Sequence, residues 1–387
     1  MNRSPNNPTA PKVALLGPLP PPYGGYASYV MLLRGSALAE RFGYYIIDTS
    51  HARLGGGLSK VFGMAHLAVR DVWRFWRATR IRSIRLIHIL GAFYPQRRFL
   101  LQAAFFRWAG RKAWSRIYDI RAGAFIEFAE NSPKRVQRRL GEVIRSAEAV
   151  TVEGRPYVDY IRKRWGVEAL YMPSFVSWAE TGARYHATPD GGGPMRVVFM
   201  GRLYEDKGVV TLAKAVARIA RRTAVRLDLI GPSEAGVERQ IRRIIDAEGL
   251  ADVIVMHGAM PTKDRLLALA AQGHVYALPT FRPTEGHSNA LTEAMAIGLA
   301  VVTCDQGFCA DVVSGGAGIL VPQRDSGALA KVLEELAGDP ERRHRMGEAA
   351  RRRAREQFSD EVMLSRWADL YARLLEPGSV DADPRAG

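Results

Sequence analysis

The segment Pro283-Thr284-Glu285-Gly286-His287-Ser288-Asn289-Ala290-Leu291-Thr292-Glu293-Ala294-Met295-Ala296 follows one apolar run, Val275–Pro279, and precedes another, Ala300–Thr303. The runs have the length of buried strands, and the segment between them begins with small turn residues and continues at helical spacing from about Asn289. Strand, turn, helix and strand in this order make a parallel β-α-β unit. The turn also makes an anion site, because the free N–H groups and the dipole of a helix N-terminus point into it. Glu285 stands in the turn and Glu293 a turn inside the helix, so both can face one cleft. A capping-box role for Glu293 competes with this reading. With Asn289 as N-cap, however, Thr292 and not Glu293 would occupy the third helical position.

The same grammar extends upstream. Arg196–Gly201, Arg226–Gly231 and Val253–His257 read as strands, and Val209–Arg222 as a helix. Gly201-Arg202-Leu-Tyr-Glu-Asp-Lys207-Gly208 joins the first strand to that helix. Two cations beside glycines suit a diphosphate, Arg202 as a forked donor and Lys207 as a point charge, although a solvated charged loop has the same composition. Further upstream a second series begins: Lys12–Gly17, Tyr44–Asp48, Leu86–Leu90 and Ser115–Ile120 as strands, with Tyr26–Phe42, Ser59–Ile81, Arg97–Gly110 and Ser132–Ala147 as helices. Pro22-Tyr-Gly24-Gly25-Tyr-Ala-Ser28 follows its first strand. Its glycines permit close approach of a ligand, and a plain strand–helix turn would use them equally well.

The expected fold is therefore α/β, with two doubly wound Rossmann-like domains facing a central cleft. We expect a flexible tail over 1–10, a first domain over 11–176 and a linker over 177–194 rich in Gly, Pro, Ser and Thr. A second domain follows over 195–357, then a C-terminal helix from Phe358 to Leu375 and a tail over 377–387.

Composition narrows the function classes. A chain of 387 residues, 47% hydrophobic and 24% charged, is globular rather than disordered. Two cysteines, Cys304 and Cys309, make neither a disulfide framework nor a zinc site. The charge-free stretch Val13–Leu33 is broken by prolines and glycines, and the N-terminal tail lacks a signal-peptide core, so a cytoplasmic protein is expected. The net charge of +16 lies wholly in residues 1–190, which hold 29 basic and 13 acidic residues, whereas the remainder is balanced. Nucleic-acid binding would explain such a half, but no RNP motif, zinc finger or helix-turn-helix spacing accompanies it, and no nucleic-acid partner is expected. Within that half, Ser59–Arg85 interleaves arginines with Val69, Val72, Trp73 and Trp76, and Arg70, Arg74 and Arg77 share a helical face. This is the make-up of an interfacial helix on an anionic membrane surface. A helix that buries both tryptophans in the core competes with it.

The motifs together resemble the retaining glycosyltransferases of family four, also called group one, which have the GT-B fold. The similarity is strongest from Arg196 to about Val321, where Glu285–Glu293 matches the family's E-x7-E segment and Gly201–Gly208 its phosphate loop. The resemblance implies a transfer from a nucleotide-sugar donor to a glycan or lipid-linked glycan, in cell-surface polysaccharide or glycolipid synthesis, at the cytoplasmic face of the membrane. It implies that Arg202 and Lys207 hold the donor diphosphate, Glu293 the ribose hydroxyls and Glu285 the sugar. Backbone N–H groups from His287 to Leu291, with Gly286 and with Gly24 and Gly25 opposite, would complete the donor site. It implies a C-terminal helix that returns to the first domain, and neither a metal nor a cofactor. Many members carry a histidine after the strand matching Ser115–Ile120. Here Asp119 and Arg121 stand near that place, either on the acceptor side of the site or in a structural ion pair, and His88 reads as a satisfied histidine at a strand end rather than a catalyst. The alternative is a catalytically inactive sugar-nucleotide-binding or regulatory protein of the same fold.

Overall fold

A computed structural model describes residues 11–20, 25–50, 58–187 and 192–376, without the side chains of 58–67. The described chain divides into two compact units, residues 1–173 with 363–387, and residues 174–362.

In the first unit six strands form one parallel sheet: β1 (Val13–Gly17), β2 (Tyr44–Asp48), β3 (Leu86–Leu90), β4 (Ser115–Ile120), β5 (Ala149–Val152) and β6 (Ala169–Tyr171). Their order is β2-β1-β3-β4-β5-β6, with Val13 opposite both Tyr44 and Leu86. β1, β3 and β5 are buried along their whole length, as strands covered by helices on both faces must be. The helices are α1 (Gly25–Arg34), α2 (Ala37–Phe42), α3 (Leu58–Ala78), α4 (Gln96–Arg111), α5 (Phe125–Asn131), α6 (Lys134–Ser146) and α7 (Arg155–Trp165).

One expected helix is a pair, and another is preceded by a helix that the sequence did not mark. Tyr26–Phe42 breaks at Gly35–Ser36, where Ser36 takes extended angles and begins α2. Ser132–Ala147 is the single helix α6, entered through Pro133, and the unexpected α5 ends just before it because proline cannot continue a helix.

The second unit carries β7 (Met195–Met200), α8 (Val209–Ile219), β8 (Val225–Ile230), α9 (Ala235–Glu248), β9 (Ile254–Gly258) and α10 (Lys263–Ala270). It continues with β10 (Val275–Leu278), α11 (Asn289–Ile297), β11 (Ala300–Cys304), α12 (Cys309–Val312) and β12 (Ile319–Val321). α13 (Ser326–Gly338), α14 (Pro340–Phe358) and α15 (Asp360–Leu375) complete the chain. The sheet order is β12-β11-β10-β7-β8-β9, again all parallel. Succession runs outward from β7 on one side and from β10 on the other. The boundary between those two strands is thus the switch point, where the loops leaving their C-terminal ends diverge and leave a crevice.

The stretch read as a linker is folded onto the second unit as far as Ala187. Trp178 is buried beneath the guanidinium groups of Arg351 and Arg355, and Ala187 donates to the Ile297 carbonyl. The expected helix Phe358–Leu375 begins instead at Asp360. Val176 N–H donates to the Phe358 carbonyl and Asp360 N–H to the Val176 carbonyl, which pulls Ser359 into extended geometry and parts α14 from α15. From Met363 onward α15 belongs to the first unit, where Trp367 and Tyr371 are fully buried.

Candidate functional site

The loops leaving β7 and β10 meet at the switch point. The β7 loop makes one 3-10 turn, Glu205–Lys207, before Gly208 starts α8 in the left-handed conformation (φ 76°). An added Cβ there would stand 2.0 Å from the Pro279 carbonyl oxygen. Gly307, at φ 59°, presses in the same way on the Glu285 carbonyl, where a Cβ would also stand at 2.0 Å. The loop that carries Glu285 is therefore held between two backbone contacts that only glycine allows. Gly208→Ala is expected to destabilise the second unit by at least about 2 kcal/mol, from left-handed strain plus the clash. Thermal unfolding beside a Gly236→Ala control, where a Cβ meets only open space, measures it.

These contacts bring Lys207 onto Glu285. The ammonium lies 2.7 and 2.6 Å from the two carboxylate oxygens, with Glu285 6% and Lys207 20% exposed. Thr280 Oγ1 donates to Glu285 Oε2 at 3.1 Å, and Phe281 N–H donates to the Asp206 carbonyl at 2.9 Å, which sews the two loops together. Arg202 is exposed on the β7 loop, its guanidinium 3.2 Å from the Tyr204 hydroxyl, and Arg282 lies over the Tyr204 ring at 5.6 Å.

The N-cap of α11 is Ser288, one residue earlier than expected, so Leu291 occupies the third helical position and Glu293 lies beyond any capping box. The Ser288 side chain makes no cap bond, which leaves the amides of Asn289, Ala290 and Leu291 to a ligand or to water. His287 Nε2 lies 2.7 Å from Thr292 Oγ1, with Gly286 at the turn before it, and this fixes the imidazole against the first turn of α11. Glu293 pairs with Lys263 at 2.9 Å, its side chain largely buried at 15% exposure and that of Lys263 half exposed. The switch point thus gathers Lys207, Glu285 and the α11 N-terminus, with Arg202 exposed on the same β7 loop. Thr280 and Gly307 belong to it as well. The sequence offers no signal for either beyond their place after β10 and β11.

Asp119 and Arg121 lie inside the first unit. Arg121 Nε donates to Asp119 at 2.7 Å, and the pair is completely enclosed. The second arm of Arg121 reaches the Tyr29 hydroxyl at 2.7 Å and the Met172 carbonyl at 2.8 Å. Thr151 donates to the other Asp119 oxygen at 2.8 Å. His88 sits in the middle of β3 rather than at its end, with Nε2 3.3 Å from Asp119 and Nδ1 2.7 Å from the Tyr371 hydroxyl. Burial alone would raise the Asp119 pKa, but Arg121 and the His88 hydrogen bond outweigh it and hold the carboxyl below its usual range. Burial pushes His88 the other way, below its ordinary value, so the ring is neutral and Nε2–H donates to Asp119. The structural reading of these residues is the one the geometry matches.

Gly25 opens α1, whereas Gly24 lies outside the described residues. Cys304 and Cys309 are buried, their thiols pushed by burial up to about 11 and about 12, far from a reactive thiolate. Among the described residues no group of three or more His, Cys, Asp or Glu side chains could hold a metal ion. No described helix is long and apolar enough to cross a membrane.

Residues 188–353 match the family of glycosyl transferases group 1. Among curated proteins, a putative colanic acid biosynthesis glycosyltransferase of Salmonella typhimurium is 34% identical over 38% of this chain and 37% of its own length. The O-antigen chain mannosyltransferase C of Escherichia coli is 28% identical over 47% of each. The chain thus spans less than half the length of these relatives. Among solved structures, sucrose-phosphate synthase from Thermosynechococcus elongatus superposes with a TM-score of 0.70 at 20% identity, over 94% of this chain and 99% of the other. An Anabaena protein, HepE, solved with UDP, superposes with a TM-score of 0.68 at 16% identity, over 93% and 99%.

Proposed function

We propose that the chain, whose residues 188–353 match the group 1 glycosyl transferases, transfers a sugar from a nucleoside-diphosphate donor to a glycan or lipid-linked glycan, with retention of configuration. The observation that carries this reading is the meeting of the β7 and β10 loops at the switch point, which fixes Lys207 on Glu285 in the turn that leads to the uncapped N-terminus of α11. A departing diphosphate gains negative charge, and fixed cations and amides aimed at it stabilise that charge without reorganising. The bond from the anomeric carbon to the phosphate oxygen breaks as the bond to the acceptor oxygen forms on the same face. The acceptor proton passes to the leaving phosphate oxygen. Glu285 would meet the sugar and Glu293 the ribose. No metal is required in this scheme, so turnover is expected to survive a chelator. Polysaccharide or glycolipid assembly is the process proposed, since the curated relatives above are named as a putative colanic acid biosynthesis glycosyltransferase and an O-antigen chain mannosyltransferase.

A thermal-shift panel of uridine, guanosine and adenosine diphosphates identifies the base, because a ligand at a hundred times its Kd adds about 2.7 kcal/mol of stability. Labelled donor then tests turnover, and the anomeric configuration of the product tests retention. Glu293→Gln is expected to weaken donor binding about tenfold or more, the difference between a charged and a neutral acceptor. Its thermal midpoint should change little, since the amide oxygen can still accept from Lys263, whose side chain is half exposed. Unchanged donor affinity would remove Glu293 from the site.

The enclosure of Asp119 and Arg121 in a structural ion pair favours a second reading, a sugar-nucleotide-binding protein without turnover. Donor binding with neither transfer nor hydrolysis of the donor would select it.

A further inference from the structure

The positive charge of the first unit has a narrow source. Between Asp48 and Asp119 the chain holds fourteen Lys and Arg residues and a single acid, Asp71. Asp71 is itself buried and bound by Arg70 at 2.9 Å. The stretch therefore presents cations with no carboxylate among them at the surface.

α3 sorts its side chains in a way that helical spacing left open. Phe75 points inward, stacked on Phe105 of α4 at 4.2 Å and edge-on to Trp108 at 5.4 Å. Arg70 and Arg74 also turn inward. Arg70 donates to the Ser50 carbonyl at 2.8 Å, and Arg74 to the Asp48 carbonyl at 2.6 Å and its carboxylate at 3.3 Å. They anchor α3 to β2 and are not presented outward, so the arginine face expected from the sequence is the wrong one. What faces water is Val69, Val72, Trp73 and Trp76, exposed by 68, 46, 51 and 49%. Four of the nine most exposed large hydrophobic residues among those described thus fall within eight positions of one helix.

Arg77 and Arg80 accompany them, each guanidinium laid over an indole, at 4.8 Å on Trp73 and 4.1 Å on Trp76. Exposed indoles with cations folded over their faces combine an apolar body with a charged rim. A core-packing helix would have buried those rings, and a purely solvated one would not carry them.

We propose that this outer face of α3 docks on an anionic lipid bilayer, with Val69, Val72, Trp73 and Trp76 entering the headgroup boundary and Arg77 and Arg80 meeting lipid phosphates. Tryptophan belongs at that boundary, where its ring is apolar and its N–H is wet. Arginine beside it reaches back to the phosphates. The neighbouring α4 contributes no acid and places Arg107 and Arg111 at the surface, which extends the attraction over more than one helix. An acidic protein or a nucleic acid would satisfy the arginines but leave the apolar row Val69, Val72, Trp73 and Trp76 without a partner. A bilayer surface takes both. The proposal does not depend on glycosyl transfer, and its test uses no sugar substrate.

The full chain is mixed with phosphatidylcholine vesicles that contain or lack phosphatidylglycerol, and sedimented. We expect binding to the anionic vesicles at low salt, release as salt screens the attraction, and weak association with neutral vesicles. Trp73→Ser with Trp76→Ser should lower the partition coefficient at least about tenfold. Arg77→Glu with Arg80→Glu should lower it by about tenfold or more. Both pairs lie at the surface, and unchanged thermal unfolding would establish that each variant is folded. Should a variant unfold, tryptophan quenching by brominated lipid in the wild-type chain reads the same contact directly. Failure to bind either vesicle type at low salt overturns the proposal, as does equal binding by the tryptophan variant. Binding to a random DNA duplex that depends on Trp73 and Trp76 would also overturn it, and so would self-association that depends on them.

Discussion

Lys207→Ala is expected to lower sugar transfer by about 10²–10³-fold, the usual loss when one preorganised donor to a developing anion is removed. Lys207 is a stronger candidate for such an effect than Arg202 because its ammonium is already fixed in place by Glu285. An ammonium carries three hydrogens, and in the free protein two are directed at the Glu285 carboxylate. An incoming diphosphate can engage the third, or draw the ammonium over and release Glu285 towards the sugar. The variant also leaves Glu285 facing a largely enclosed site without its counter-charge, so the second unit should lose about 1–3 kcal/mol of stability. The two effects separate in a double-mutant cycle. Glu285→Gln added to Lys207→Ala should recover most of the lost stability, since no unpaired carboxylate remains, yet recover none of the activity. If Lys207→Ala unfolded the unit while its folded fraction kept full turnover, the pair would be structural only.

Arg121→Leu carries the largest expected stability effect, about 3–5 kcal/mol, because it strands the Asp119 carboxylate in a fully enclosed site. The midpoint of the first unit should fall by about 10 °C. Arg121→Leu combined with Asp119→Asn should be milder, since the charge that needed a partner is gone. The pH dependence gives an independent check. In the wild type the folded pKa of Asp119 lies below its unfolded value, so the stabilisation is complete above that unfolded value and is lost as pH falls through the folded one. His88 is also depressed in the fold. The unfolded chain therefore takes up its proton first, and stability declines further below about pH 6.5. Without Arg121, burial acts on Asp119 against only the neutral hydrogen bonds from His88 and Thr151 and favours its neutral form. The gap between variant and wild type should then narrow as pH falls from 7 to about 4.5, as measured by denaturant unfolding at each pH. A gap that widened would show that Asp119 is not the group Arg121 holds charged.

Much of the molecule was legible from residue order alone. β2, β3 and β4 occupy the positions read for them; the apolar run is clearest in the fully buried β3, while Ser115, Arg116 and Asp119 interrupt it in β4. Lys207 and Glu285 could be singled out because each follows such a run within a glycine-bearing turn. Sequence alone could not determine that they touch. They are 78 positions apart, and only the adjacency of β7 and β10 in the sheet brings their loops together. β5, β6 and β12, of four, three and three residues, carry too short a pattern to be read, and pairing with longer neighbours makes them strands. The interruption at Ser359 comes from Val176, which is 183 positions away. The same limit applied to α3. Its spacing placed valines, tryptophans and arginines on adjoining faces, but which face meets protein depends on where Phe105 and Asp48 stand. Periodicity records which side chains share a face. Only tertiary packing decides whether that face is covered or meets water, because burial depends on what the rest of the chain sets against it.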